Sequence, residues 1–187
     1  MLERQQERAY TWDDLAAMPE DNLRREIIGG MLEMTPAPGY AHQKLVLRIA
    51  RAIEDAAGAL GETLVAPSDV ILSRFDVVQP DVFFIRGAAA EIVVNDRIAR
   101  TPDLVVEVIS PSSAPTDHVR KFALYATSGV AEYWLVDPGT RTVSLHLLED
   151  GGYLAARPDG AGRLASRVVP GLEIDAARLF TGLPEGA

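Results

Sequence analysis

Cysteine is absent from this chain of 187 residues. That excludes disulfides, thiolate zinc sites and cysteine nucleophiles, and a cytoplasmic location is the simplest expectation. Histidine is nearly as scarce: His42, His118 and His146 are the three present, and they are dispersed. A metal would therefore be held mainly by oxygen, which favours Mg²⁺, Mn²⁺ or Ca²⁺. No uninterrupted apolar run reaches the roughly 18 residues of a membrane-spanning helix, so no membrane partner is expected. The N-terminal MLERQQERAYTWDD is charged and lacks the apolar core of a secretory signal. Basic residues are outnumbered, 18 Lys and Arg against 27 Asp and Glu, for a formal charge of −9. That argues against nonspecific, charge-driven DNA binding, but it leaves room for a metal-dependent nuclease with a local basic rim.

What is present is globular. Apolar residues make up 48% of the chain, and the length suits one domain, 1–187, with a proper core. Thr11 is placed to cap a short helix, with Asp14 at the capping-box distance and Trp12, Leu15 and Met18 at helical spacing. LRREII and MLEM flank Gly29-Gly30, which is a hairpin signal. YAHQKLVLRIARAIEDAAG reads as a helix ending at Gly58, with Leu45, Ile49, Ala52, Ile53 and Ala56 as its apolar stripe.

Strands are expected at ETLVA, at DVILS and at VVQPDVFFIR, the last with its paired part starting near Asp81 because Pro80 cannot donate to a ladder. LVVEVIS is the best core strand. After a Pro-Ser-Ser loop, Asp117 is placed to cap a helix to about Ser128, closed by Gly129, with Val119, Phe122, Ala123 and Ala126 as its buried stripe. Ala131 to Val136 is a further strand, and RTVSLHLL alternates as a strand with one wet face does. A C-terminal antiparallel meander and a short helix capped by Asp175 complete the chain. The pattern is α/β: a mixed sheet, helices packed on it and extra C-terminal antiparallel hairpins.

Two acids stand where core strands should carry none. Glu107 lies among Leu104, Val105, Val106, Val108 and Ile109. A carboxylate there must be paired, metal-bound or protonated. A structural ion pair or a strand-end residue reaching solvent would explain it, and so would a metal site. Asp81, after Pro80 at the start of another apolar strand, is the partner that a metal site needs. Asp117, Lys121 and Tyr125 fall at i, i+4 and i+8 and form one row. Lys121 alone reads as a solvated charge beside Asp117; beside two strand acids it could orient water or steady a phosphate. Tyr125 could bond a ligand or pack as core. Glu26 could supply a third acid or be an exposed hairpin charge. His42 and Gln43 open the long helix, whose N-terminus favours phosphate, though a histidine there is commonly a surface residue.

Ser110 to Ser113 with His118 does not make a serine-nucleophile site: no Gly-x-Ser-x-Gly elbow is present, and Pro-Ser-Ser is ordinary turn chemistry. No P-loop or dinucleotide fingerprint occurs.

QPDVFF, PDLVVEVISPSS, D-x-x-x-K-x-x-x-Y and GVAEYWLVDP, in that order, resemble the Uma-type restriction-endonuclease family, a branch of the PD-(D/E)XK nuclease superfamily. The resemblance extends from YTWDDLAAMPED through REIIGG and PAPGYAHQ to PGLEIDAARLF. It implies a restriction-endonuclease-like core, a mixed central sheet flanked by helices, with Asp81 and Glu107 as the metal-binding acids. The superfamily's lysine lies two residues after the second acid, where this chain has Ile109; Lys121 matches the lysine of Uma-type proteins, moved to the following helix. Glu26 matches the family's N-terminal glutamate. Gly29 stands where the family usually has Asp, and Arg25 where it often has Tyr.

The function expected is Mg²⁺- or Mn²⁺-dependent hydrolysis of DNA by direct water attack. The alternatives are a catalytically silent nuclease fold used for binding or regulation, and a hydrolase of smaller phosphate esters. A homodimer would suit cutting both strands of a duplex, although no stretch establishes an interface.

Overall fold

A computed structural model describes residues 9–19, 21, 23–35, 37–94, 97–98, 100–110 and 116–184. The Pro-Ser-Ser loop at 111–115 and the side chains of Asp117 and His118 lie outside the described set.

In chain order, α1 (Trp12–Ala16) precedes a hairpin of β1 (Arg24–Ile28) and β2 (Met31–Thr35). Thr11 and Asp14 close the start of α1, the Thr11 amide and hydroxyl donating to Asp14 Oδ2 at 2.9 and 2.7 Å. Gly29 and Gly30 turn the hairpin with φ of 60° and 75°, a pair that favours glycine. Asp76 Oδ1 accepts from the Gly29 amide at 2.7 Å. The long helix α2 (Tyr40–Ala57) follows, and it buries Ala41, Leu45, Ile49, Ile53 and Ala57. Gly58, with φ 53°, ends it.

Then come β3 (Gly61–Val65), β4 (Val70–Ser73), β5 (Asp76–Val78), β6 (Val82–Arg86), the short α3 (Ala89–Ile92), β7 (Val93–Val94), β8 (Arg97–Ile98) and β9 (Leu104–Val108). A π-helical turn, Thr116–Lys121, leads into α4 (Phe122–Thr127). The C-terminal part holds β10 (Glu132–Asp137), β11 (Thr142–Glu149), β12 (Gly152–Ala155), β13 (Arg163–Ala165), β14 (Glu173–Asp175) and α5 (Ala176–Leu179), which Asp175 caps as expected.

The central sheet has the order β12-β11-β10-β9-β6-β3. It is mixed: β9 and β10 run parallel and the other neighbours antiparallel. A second sheet, β2-β1-β5-β4-β8-β7, is antiparallel except for the β4–β8 pairing. Side chains alternate across the central sheet, as strand geometry requires. Phe84, Leu104, Val106, Trp134 and Val136 meet α2 and the C-terminal segment on one face. Phe83, Ile85, Val105, Tyr133 and Leu135 meet Tyr125 and the second sheet on the other.

Three expectations need correction. VVQPDVFFIR is two strands, not one. β5 belongs to the second sheet and β6 to the central sheet, and Pro80 lies in the crossing between them. The missing proline N–H ends pairing on one sheet before it starts on the other; β6 itself is interior, between β9 and β3. The C-terminal hairpins do not form one meander, because β12 pairs with β11 while β13 pairs with β14 in a separate ribbon. In the helix after the Pro-Ser-Ser loop, Val119 and Ala123 are exposed and Lys121 and Tyr125 are buried. The π turn has more residues per turn than an α-helix, and it rotates the Lys121–Tyr125 row inward, while Phe122 of the expected stripe still packs against the core and Ala126 is half-buried.

Candidate active site

Asp81 stands at the crossing between the two sheets. The β6–β9 register pairs Val82 with Val106, so Asp81 comes opposite Glu107 on the same face. Val108 would meet Pro80 next, where β6 has not yet begun. The carboxylate of Asp81 fills that gap, its Oδ2 accepting the Val108 amide at 2.8 Å. The local fold thus locks the side chain. Glu107 is held from the π turn and α4, where Lys121 Nζ donates to its Oε1 at 2.9 Å and the Tyr125 hydroxyl donates to the same oxygen at 2.7 Å.

Glu26 of β1 completes the cluster. Its Oε1 accepts the Gln79 amide at 2.7 Å and lies 3.0 Å from Lys121 Nζ. All four charged groups are buried: Glu26 is 3% exposed, Asp81 2%, Glu107 1% and Lys121 2%. Glu26 is therefore no exposed hairpin charge, and Lys121 no solvated one.

Arg24 has no place in the sequence reading. Its Nη1 donates to Asp81 Oδ1 at 2.7 Å, while Nη2 is 3.7 Å from Glu26 and 3.8 Å from Glu107. Nη2 also donates to the Gln79 carbonyl. The signal for it was strand alternation, because Arg24 is i−2 to Glu26 and so shares its face. The attraction of Glu26, Asp81 and Glu107 outweighs burial and raises the affinity of Arg24 for its proton further.

His42 reaches the cluster from the first turn of α2, its Nε2 donating to Asp81 Oδ2 at 3.1 Å. Burial alone would raise the Asp81 pKa. The His42 hydrogen bond and the charges of Arg24 and Lys121 prevail and lower it from 3.8 to about 2. Burial, the charges of Glu107 and Glu26 and the hydroxyl's own bond to Glu107 push Tyr125 well above the usual phenol range, so it stays a donor.

The cluster reaches solvent on one side, at a cavity of about 460 Å³ lined by Arg24, His42, Gln43, Gln79 and Asp81 among others. Buried Arg24 Nε, His42 Nδ1 and Gln79 Oε1 have no hydrogen-bond partner there among the described residues. Glu26, Glu107, Lys121 and Tyr125 do not line that cavity among the described residues; they form a layer behind it. Asp21, Leu23, Pro67 and Gln79 also line a second cavity of about 650 Å³, so the two are neighbours.

A hard divalent cation suits the donor set. Three carboxylates converge without sulfur, and a guanidinium already stands among them as an organic cation. Among the described residues, no group of three or more Asp, Glu or His side chains stands ready to hold a metal ion as placed.

Asp103 and Ile109 have structural places. Asp103 Oδ2 accepts the Arg86 amide at 2.8 Å. Ile109, in the place of the superfamily lysine, is buried in the core beside Tyr125. Glu132 shows that a buried strand acid need not mark a site. It is 0% exposed and structural, taking the Trp134 indole at 2.6 Å and the Arg167 amide at 2.8 Å.

The fold is that of a nuclease-like protein. A crystal structure of a "putative nuclease belonging to DUF820" from Anabaena variabilis matches with a TM-score of 0.74 at 19% identity, covering 91% of this chain and 97% of that one. The chain belongs to the Uma2 family, described as "putative restriction endonuclease", whose model matches residues 12–177. No curated protein matches the chain. No helix among the described residues is long and apolar enough to cross a membrane.

Proposed function

We propose that this protein is a metal-dependent endonuclease that hydrolyses DNA by direct attack of water. The observation that carries the reading is the convergence of Glu26, Asp81, Glu107 and Lys121 in one buried cluster, with Asp81 on the wall of a cavity. Asp81 and Glu107 would hold Mg²⁺ or Mn²⁺, with Glu26 in support. A cation there supplies Lewis acidity to a phosphate oxygen and acidifies a bound water.

The chain's own residues do the rest. Lys121 bridges Glu26 and Glu107 and sets their orientation, so its influence on the attacking water passes through those carboxylates. Tyr125 holds Glu107 from the other side. His42, on the cavity wall, can carry a proton between the water and bulk solvent while Asp81 fixes its ring. Gln43 and the first turn of α2 face the same cavity, where partial positive charge suits a phosphate.

A second reading, a nuclease fold used only for binding, is favoured by the guanidinium among the acids. The test is cleavage of plasmid and oligonucleotide DNA with Mg²⁺, Mn²⁺ or EDTA, beside Asp81→Ala and Lys121→Ala. Cleavage that needs metal and disappears in both variants supports the first reading. Equal cleavage by all three proteins would mean contamination, and no cleavage with no metal binding would leave the binding module.

A further inference from the structure

Three carboxylates surround one guanidinium at the inner end of the 460 Å³ cavity. Arg24 is 2.7 Å from Asp81, 3.7 Å from Glu26 and 3.8 Å from Glu107. Lys121 is 3.0 Å from Glu26 and 2.9 Å from Glu107. Formally, three negative charges meet two positive ones, so the cluster is one charge short of neutral with Arg24 in place. Exchanging the guanidinium for a divalent cation makes it neutral; adding the cation beside the guanidinium makes it positive. Like charges a few ångströms apart in a poorly solvated site repel strongly. Exchange is therefore the favoured route.

The exchanged guanidinium has somewhere to go. Its side chain is 19% exposed and already lines the cavity. Pockets of some 300–1,000 Å³ take small ligands, so this cavity has room for a nucleotide unit. His42 Nδ1 and Gln79 Oε1 lie at the same wall with no hydrogen-bond partner among the described residues. A planar guanidinium that leaves three carboxylates for a polar cavity is matched to a phosphate oxygen pair.

We propose that Arg24 is a cation-for-cation switch: it fills the carboxylate cluster when metal is absent, and a divalent cation displaces it into the cavity, where it binds a substrate phosphate. This rests on the metal-dependent reading above. No covalent step is involved. Because the same side chain leaves the metal's seat and joins the phosphate's, each ligand raises the affinity of the other, and by thermodynamic reciprocity they do so by the same factor.

The test is calorimetric titration of Mn²⁺ into wild type and Arg24→Gln, each alone and with thymidine 5′-monophosphate, a phosphate ligand without a scissile diester. Without nucleotide, Arg24→Gln should bind Mn²⁺ about tenfold more tightly than wild type, and the tightening caused by nucleotide should fall about fivefold. Equal or weaker Mn²⁺ binding by Arg24→Gln overturns the switch while leaving the metal reading intact. No Mn²⁺ binding by either protein overturns both. Should Arg24→Gln fail to fold, wild type decides by nuclear magnetic resonance. The Arg24 Nε–Hε signal, assigned by its absence from Arg24→Lys, should move on titration with Mg²⁺; a signal unmoved at saturation overturns the switch.

Discussion

The ammonium of Lys121 lies 2.9 Å from Oε1 of Glu107 and is buried with it. The same nitrogen is 3.0 Å from Glu26. One lysine thus bridges two strand acids from different sheets in a site that water hardly reaches. Removing it leaves the two acids with only the more distant guanidinium of Arg24, 3.7 Å from Glu26 and 3.8 Å from Glu107, at a cost of roughly 3 kcal/mol. Lys121→Met should lower the midpoint of urea unfolding markedly. The double variant Lys121→Met/Glu107→Gln should recover part of the loss. Additive losses in that cycle would show that the pair does not interact as its geometry implies.

Asp81 makes stability depend on acid. Its folded pKa of about 2 lies below the ordinary 3.8. The folded state therefore prefers the charged form, and the contribution is complete above the ordinary value. It is lost as pH falls from about 4 through 2, and it amounts to something on the order of 2 kcal/mol. Unfolding free energies of wild type and Asp81→Asn, compared from pH 6 down to pH 2, should converge over that window. A gap that stays constant across it would rule the linkage out.

Tyr125 should matter through Glu107. Its hydroxyl donates at 2.7 Å to a carboxylate oxygen that is out of water. Tyr125→Phe removes one charge-assisted bond and should cost about 1.5–3 kcal/mol. Thermal unfolding followed by circular dichroism measures this directly. Its ring also packs 5.3 Å from that of Tyr133, and the phenylalanine keeps that contact, so a much larger loss would point to a different role.

His42 lies on the cavity wall and bonds Asp81. His42→Ala should lower the rate of metal-dependent cleavage by about a hundredfold or more, the usual worth of a general acid–base group. Stability should fall by no more than that one charge-assisted bond, about 1.5–3 kcal/mol. Unchanged cleavage would remove His42 from the proton path.

Glu132 is the contrast. Glu132→Ala leaves the Trp134 indole and the Arg167 amide without their acceptor, at about 1–3 kcal/mol each. Stability should fall while cleavage per folded molecule stays at the wild-type rate. A fall in that rate would tie the C-terminal segment to the site.

The sequence by itself determined much of the secondary structure and the acids of the cluster. Alternation and glycine placement set the Gly29-Gly30 hairpin. The 3.6-residue period set α2, and apolar residues on both faces apart from Glu107 set β9. Glu107 stood out because a carboxylate among five apolar neighbours demands a partner. These are local signals, decided by backbone geometry and by desolvation at a single position.

Only the tertiary structure decided the rest. The crossing of Pro80-Asp81 from one sheet to the other puts Asp81 opposite Glu107 and lets it take the Val108 amide. The π turn before α4 shifts the helix phase and sends Lys121 and Tyr125 inward. Arg24, 57 residues from Asp81, enters the cluster because β1 pairs with β5 beside it. Glu107 and Glu132 look alike in sequence as acids in apolar strands. They differ because one meets a lysine, a tyrosine and an arginine, and the other an indole and backbone amides. Such partners come from distant segments, and pairing across a fold is a property of three-dimensional packing that no local period encodes.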